Sequence, residues 1–166
     1  MIKNFKDKSP EIKESVYISE NVDIIGEVLI KEDSNIWFGT RIRADINKIH
    51  IGKRTNIQEN SVVHVDFDFE TTIGDDVTIG HGAIIHGCTI ENNVLIGMGS
   101  IIQNGAKISK NSIVGAGSLV TQNKVFEEGM LILGNPARAI RKLTEEEIKS
   151  IEVSAKNYVR LSKEYI

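Results

Sequence analysis

The chain has 166 residues, 40% of them apolar and 26% charged, with a net charge of −3. That is the size and balance of one soluble globular domain; it argues against a nucleic-acid binder, which carries a basic face, and no apolar stretch approaches the roughly 18 residues of a membrane span. Residues 1–10 lack the apolar run of a signal peptide, and the single cysteine, Cys88, leaves no intrachain disulfide, so a reducing cytoplasm is the expected compartment.

Along the chain, Ile or Val recurs at a step of six. It stands at 18, 24, 30, 36 and 42, at 51, 57 and 63, at 73, 79 and 85, and at 90, 96, 102, 108, 114 and 120. Four residues after most of these comes a small or β-branched residue, as at Ser34, Thr40, Thr55, Ser61, Thr89, Val94 and Ser100. Gly often follows the aliphatic residue directly, as in Ile51-Gly52 and Ile96-Gly97; these glycines are expected to relieve a turn of unusual φ. A helix would space apolar residues three and four apart, and a strand every two. A period of six fits a coil with three flat sides, whose β-branched residues fill a prism. Coils stacked about 4.8 Å apart pair their backbones with the next, and no coil buries its face alone. An aromatic content of 5% suits so narrow an interior. The pattern resembles the hexapeptide repeat of left-handed parallel β-helices. The hand is taken from that resemblance, since crossover rules favour the opposite one.

The register breaks three times. Three residues are added between 42 and 51, four between 63 and 73, and one is lost between 85 and 90. The second insertion, around Asp66, Asp68 and Glu70, reads as a loop leaving the prism. After Val120 the repeat stops. The expected organisation is a single domain, with the β-helix over 1–125 and, over 126–166, an extended return followed by a C-terminal α-helix. Thr144 and Glu147 form the signature of a capping box. Ile148, Ile151, Ala155 and Tyr158 follow at helical spacing, which predicts a helix of about 20 residues packed along this prism or a neighbour's.

Histidine is rare, yet His64, His81 and His86 fall within 23 residues. His64 follows Val63 and His86 follows Ile85, positions on the same side of successive coils once the loop is subtracted. The two should stack one rung apart and point outward, as two ligands of one metal would. His81 lies on the preceding side of the prism, away from that pair in its own chain. A neighbouring prism in a trimer would bring it there. Three imidazoles and an open position make a catalytic type of zinc site. His50 has no such partner and reads as surface, and Cys88 reads as a packed thiol.

The ordered motifs carry a resemblance. Asn35-Ile36-Trp37-Phe38-Gly39, Arg43-Ala44-Asp45, Asn56-Ile57-Gln58, His64-Val65-Asp66, Gly80-His81-Gly82, His86-Gly87-Cys88 and Gly134-Asn135-Pro136-Ala137 together resemble the γ-class carbonic anhydrase family, over about residues 10–165. The resemblance implies a homotrimer with a metal at each subunit interface, held by His64 and His86 of one chain and His81 of the next. It implies zinc, with iron or cobalt as substitutes, and zinc-hydroxide hydration of CO2 to bicarbonate. Gln58 is similar to the residue that orients the metal-bound water, Asn56 to the polar group beside it, and Tyr158 to a helix tyrosine overhanging the metal. Arg43 and Asp45 are similar to the family's interface ion pair. Two departures bear on proton export: Ile46 stands where the prototype has a glutamate, and the loop after His64 is short. Two other readings stay open on the residues alone. One is an acyl-coenzyme A-dependent acyltransferase, since hexapeptide β-helices often transfer acyl groups. The other is a non-catalytic trimeric scaffold that keeps its metal for assembly. Neither nucleic acid nor membrane is an expected partner.

Overall fold

In the computed structural model, which describes residues 1–165, the six-residue step becomes a parallel β-solenoid of about seven turns with one C-terminal helix. Ile166, the last residue of the expected C-terminal segment, lies outside the described residues. Each coil pairs in parallel with the next. Ile36 sits beside Ile57, Ile57 beside Ile79, Ile79 beside Ile96 and Ile96 beside Val114. A second row runs through Ile24, Ile42, Val63, Ile85, Ile102 and Val120, and a third through Ile30, Ile51, Ile73, Ile90 and Ile108. Two long strands, Asp23–Ile30 and Arg41–Ile51, run round one corner and join the last two faces. The three rows meet inside the prism, where nearly all these side chains are fully buried. β-Branched residues suit this place, because they fit a pleated surface and lose little rotamer freedom there.

The small-residue register has a polar purpose. Ser34 Oγ donates to the Gly52 carbonyl at 2.6 Å, Thr40 Oγ1 to Gln58 at 2.9 Å, Thr55 Oγ1 to Gly74 at 2.7 Å and Ser61 Oγ to Gly80 at 3.1 Å. Each buried hydroxyl thus donates to a corner carbonyl of the following coil, as buried polar groups require; the Gln58 and Gly80 carbonyls also accept the Ser61 and Ala83 N–H groups. Thr89 departs from this register and is exposed; Cys88 takes the buried place instead. The lost residue between Ile85 and Ile90 moves the chain one step forward there.

The glycines after the aliphatic positions serve a different end from the one expected. Gly52, Gly74, Gly80, Gly97 and Gly115 do not have a positive φ. They are glycine because the next coil passes too close: a Cβ on Gly74 would lie 2.8 Å from the Asn92 backbone nitrogen, and one on Gly97 2.4 Å from that of Ala116. Positive φ falls elsewhere, on other glycines of the turns such as Gly39, Gly82 and Gly99, and on Asn and Asp such as Asn60, Asp76, Asn93 and Asn111. Asn and Asp are the side chains that best tolerate the left-handed region after glycine.

The coil also runs further than the repeat. Phe126 pairs beside Ile108, and Ile132 beside Val114, both buried. They keep the step of six beyond Val120, but Phe126 is aromatic and breaks the β-branched pattern. Strand Met130–Gly134 then turns back on itself, pairing antiparallel with Ala137–Lys142. At the other end, Ile2–Lys3 and Glu11–Ile12 lie against Asp23–Ile30.

The helix α1, Glu145–Ser162, begins at the expected capping box. Thr144 Oγ1 accepts the Glu147 N–H at 3.2 Å, and Glu147 Oε2 accepts the Thr144 N–H at 2.9 Å. Ile151 and Ala155 are its buried face. They lie over strands Asn35–Ile36, Asn56–Ile57 and Thr78–Ile79, so the helix covers one side of the prism. It is too polar to cross a membrane, as is any helix among the described residues.

Candidate metal centre

His64 and His86 are the last residues of two adjacent parallel strands, Val62–His64 and Ile84–His86, and lie in register. Each follows an inward aliphatic residue, so alternation along the strand turns both rings outward. His64 Nδ1 and His86 Nε2 are 3.0 Å apart. The remaining ring nitrogens have partners that fix the tautomers. His64 Nε2 meets Asp45 Oδ1 at 3.2 Å, and His86 Nδ1 meets Asn104 Oδ1 at 2.6 Å. Asn104 Nδ2 in turn donates to Asp66 Oδ2 at 3.0 Å.

A carboxylate accepts and does not donate. Burial raises the Asp45 carboxyl, but hydrogen bonds from Arg43 and His64 outweigh it and hold Asp45 below its ordinary value. His64 therefore donates from Nε2, and its Nδ1 is a bare lone pair. Asn104 gives its NH2 group to Asp66, so its oxygen faces His86, which donates from Nδ1. Its Nε2 is also a bare lone pair. Two lone pairs thus converge on one point. Burial holds the His64 imidazole below its ordinary value against the pull of Asp45, which disfavours a proton as the group that separates them. A soft divalent cation resolves the repulsion. Two nitrogens bonded to one tetrahedral zinc at about 2.1 Å sit about 3.4 Å apart, close to the observed separation. The pair fits a metal.

The pair is incomplete in one chain. Among the described residues, no three His, Cys, Asp or Glu side chains gather to hold an ion. His81 lies at the other end of the same face, in the turn before strand Ile84–His86. It is exposed, and its Nδ1 is 2.5 Å from Glu59 Oε2. By the same accounting Nδ1 carries the hydrogen and Nε2 the lone pair.

The other expected site residues divide between these two corners. Arg43 and Asp45 form an ion pair beside His64, and Arg43 lines a cleft of about 300 Å³ with Val62, His64 and His86. Gln58, Asn56 and Tyr158 belong to the helix-covered face. Gln58 Nε2 donates to Asn56 Oδ1 at 3.0 Å, and Asn56 Nδ2 to Thr78 Oγ1 at 2.9 Å. Thr78 reaches Ser154 Oγ on α1 at 3.2 Å. Gln58 and Tyr158 line a groove of about 380 Å³ between helix and prism, which begins at Gly80, next to His81. Tyr158 stacks edge-on against Trp37, with ring centres 5.8 Å apart. Burial raises its hydroxyl, and Glu59 adds to the effect. Ile46 is partly exposed beside Asp45. Sequence reasoning passed over Glu59 and Asn104. Both are one coil from a histidine, Asn104 eighteen residues after His86 and Glu59 twenty-two before His81, the second count including the inserted loop.

Two family models match the coils: bacterial transferase hexapeptide (six repeats) over residues 87–122, and hexapeptide repeat of succinyl-transferase over 70–102. They describe the repeat and not the corners. The chain is similar in fold to a hexapeptide transferase family protein from Anaplasma phagocytophilum, with a TM-score of 0.96, 43% identity and coverage of 99% of this chain and 98% of that one. It is 56% identical to "Probable carbonic anhydrase" of Methanocaldococcus jannaschii, across 91% of this chain and 95% of the relative. It is 44% identical to "Gamma carbonic anhydrase 2, mitochondrial" of Arabidopsis thaliana, across 96% of this chain, and spans 59% of that protein's length. With a hexapeptide coil, stacked histidines at one corner and near-complete coverage of a relative at this identity, the chain belongs to the γ-class carbonic anhydrase family.

Proposed function

We propose that this protein hydrates CO2 to bicarbonate at a metal shared between subunits of a homotrimer. The observation that carries the reading is the split site. His64 and His86 stand at one corner of a prism face, and His81, with Gln58 and Asn56 nearby, at the other. Between them runs an outward row of Val62, Ile84, Ile101 and Leu119, paired in register across four coils. Val62 and Ile84 each keep 38% of their surface exposed in the single chain. An apolar row of this kind marks an interface. A head-to-tail contact that closes after three copies brings the His81 corner of one chain against the His64–His86 corner of the next.

His64, His86 and the partner subunit's His81 would hold zinc, or iron or cobalt in its place. Such an ion supplies a Lewis acid that lowers the pKa of bound water toward about 7. The chain's own residues do the rest. Asp45 and Asn104 keep the rings of His64 and His86 turned toward one point. Gln58 gives an N–H to Asn56, and its oxygen stays outside that bond, able to accept from water and orient it. Tyr158, backed by the buried Trp37, walls the groove together with Leu95 and Met98, which suits a small, uncharged substrate. The proton released on hydration must leave. Ile46 has no group to carry it, and Asp66 is engaged by Asn104, so Asp68, Glu70 or a mobile buffer takes it.

The test is initial CO2 hydration by the metal-loaded trimer across a series of imidazole-type buffers. The rate should be low at low buffer and rise with buffer concentration, because a mobile base near pH 7 replaces the missing side chain. No hydration at any buffer concentration, with metal bound at one ion per chain, would sink the proposal.

A further inference from the structure

We propose that Asn104, clamped by Asp66, is the positioning residue that sets the tautomer and ring orientation of His86. The inference rests on the metal reading above and adds a link to it. The contacts form a chain: Asp66 Oδ2 accepts from Asn104 Nδ2 at 3.0 Å, and Asn104 Oδ1 accepts from His86 Nδ1 at 2.6 Å. Asn104 is half-buried on the coil after His86. An amide alone is ambiguous, since either end can face an imidazole nitrogen. The carboxylate removes the ambiguity, because it accepts only the NH2 end.

Asp66 is itself well held. It lies in the loop just past His64, where its N–H donates to the Phe69 carbonyl at 2.9 Å and its carbonyl accepts from Asn47 Nδ2 at 3.1 Å. The loop after one histidine therefore orients the other histidine, through a residue 38 positions away in sequence. This gives the short loop a task at the metal corner. Ligand-orienting partners of this type usually govern metal affinity by about 10- to 100-fold.

The test uses three variants and two readouts. The first readout is zinc affinity of the full-length protein, by competition with a chelator. The second is the nitrogen-15 spectrum of the histidine rings in the metal-free protein, which reports tautomer without any metal. Asn104→Ala should lose about 10- to 100-fold in zinc affinity and turn His86 from a single Nδ1–H form into a mixture. Asp66→Asn should do the same in part, because the clamp no longer selects an amide orientation. The double variant Asn104→Asp/Asp66→Asn reverses donor and acceptor along the link but still offers His86 an acceptor. It should recover affinity to within about threefold of the original and restore the single tautomer. Rung stacking alone would not produce that recovery. Unchanged affinity and tautomer in Asn104→Ala, with His64→Ala losing metal, would overturn the positioning role and leave the metal reading standing. A native protein that binds no zinc but shows His86 as Nδ1–H would overturn the metal reading and leave the tautomer assignment standing.

Discussion

Replacing Ile84 by Asp should separate the proposed trimer without unfolding the chain. Ile84 points outward, and its backbone pairs with Val62 and Ile101 whatever side chain it carries. Val62 and Ile84 each have 38% of their surface left to bury. Complete burial of such a side chain is worth about 1.5–3 kcal/mol, so the remaining exposure is worth about 0.6–1.1 kcal/mol per residue. The pair therefore contributes about 1–2 kcal/mol on each protomer. A carboxylate at position 84 removes half of that and adds the several kcal/mol of desolvating an unpaired ion. At about 1.4 kcal/mol per factor of ten, each contact weakens by about a thousandfold or more. Sedimentation velocity at micromolar concentration should give the mass of three chains for the native protein and of one for the variant. Circular dichroism should stay the same. Metal content should fall with the trimer, because in the proposed assembly His81 reaches the site only from a neighbour. A variant that stays trimeric would refute the assignment of this face, and a monomer that holds metal at native affinity would refute the shared site.

Other outcomes follow from single residues. His64→Ala and His86→Ala should each strip the metal and leave the prism folded, since both rings point outward; elemental analysis of purified protein checks this, and full occupancy in either variant would show that the ligands are elsewhere. Cys88 is 2% exposed, and burial pushes its thiol up to about 12. The reactive form is the thiolate, so iodoacetamide at pH 8 should leave the native protein unlabelled and label it fully once unfolded. The Glu147 carboxyl is held at about 2 by Arg141 and by the Thr144 N–H. A depressed acid stabilises the fold above its ordinary value and loses that contribution as pH falls through the folded one. The first turn of α1 should therefore fray as pH drops from about 4.5 toward 2, seen as faster amide exchange there, and Glu147→Gln should remove the dependence.

The core was legible because it is a one-residue-type rule. Six-residue spacing of Ile and Val names the side chains that point inward, and burial follows them from Ile24 to Val120, with Ile18 partly buried at the open end. The insertion around Asp66, Asp68 and Glu70 was legible as a loop and lies outside any strand, whereas the residues added between Ile42 and Ile51 were legible only as a break in register and become part of one strand turning a corner. The extension through Phe126 and Ile132 was missed because an aromatic ring interrupts a pattern defined by β-branching. The glycines were found for the wrong reason, since close approach of the next coil acts between residues about twenty apart and leaves no local mark. At the site, the His64–His86 pairing could be read by counting coils. The partners Asn104 and Glu59 could have been found by the same count, eighteen residues or eighteen plus the insertion. Nothing in their local sequence sets them apart from other polar turn residues.

The antiparallel return at Ala137–Lys142 has a consequence for how long the molecule is. Every coil offers the same row of amide and carbonyl groups to whatever comes next, so the interior contains no instruction to stop. A prism left open after Met130–Gly134 would present a straight template to another molecule's first coil, and such edges seed end-to-end polymers. Reversal of chain direction ends this. Ala137–Lys142 uses up the hydrogen-bonding edge of the last strand on that face and faces outward with Arg138, Arg141 and Lys142 exposed. At the other end, the short strands Ile2–Lys3 and Glu11–Ile12 lie over the first long strand. The return therefore closes one face of a prism whose repeat could otherwise be continued indefinitely.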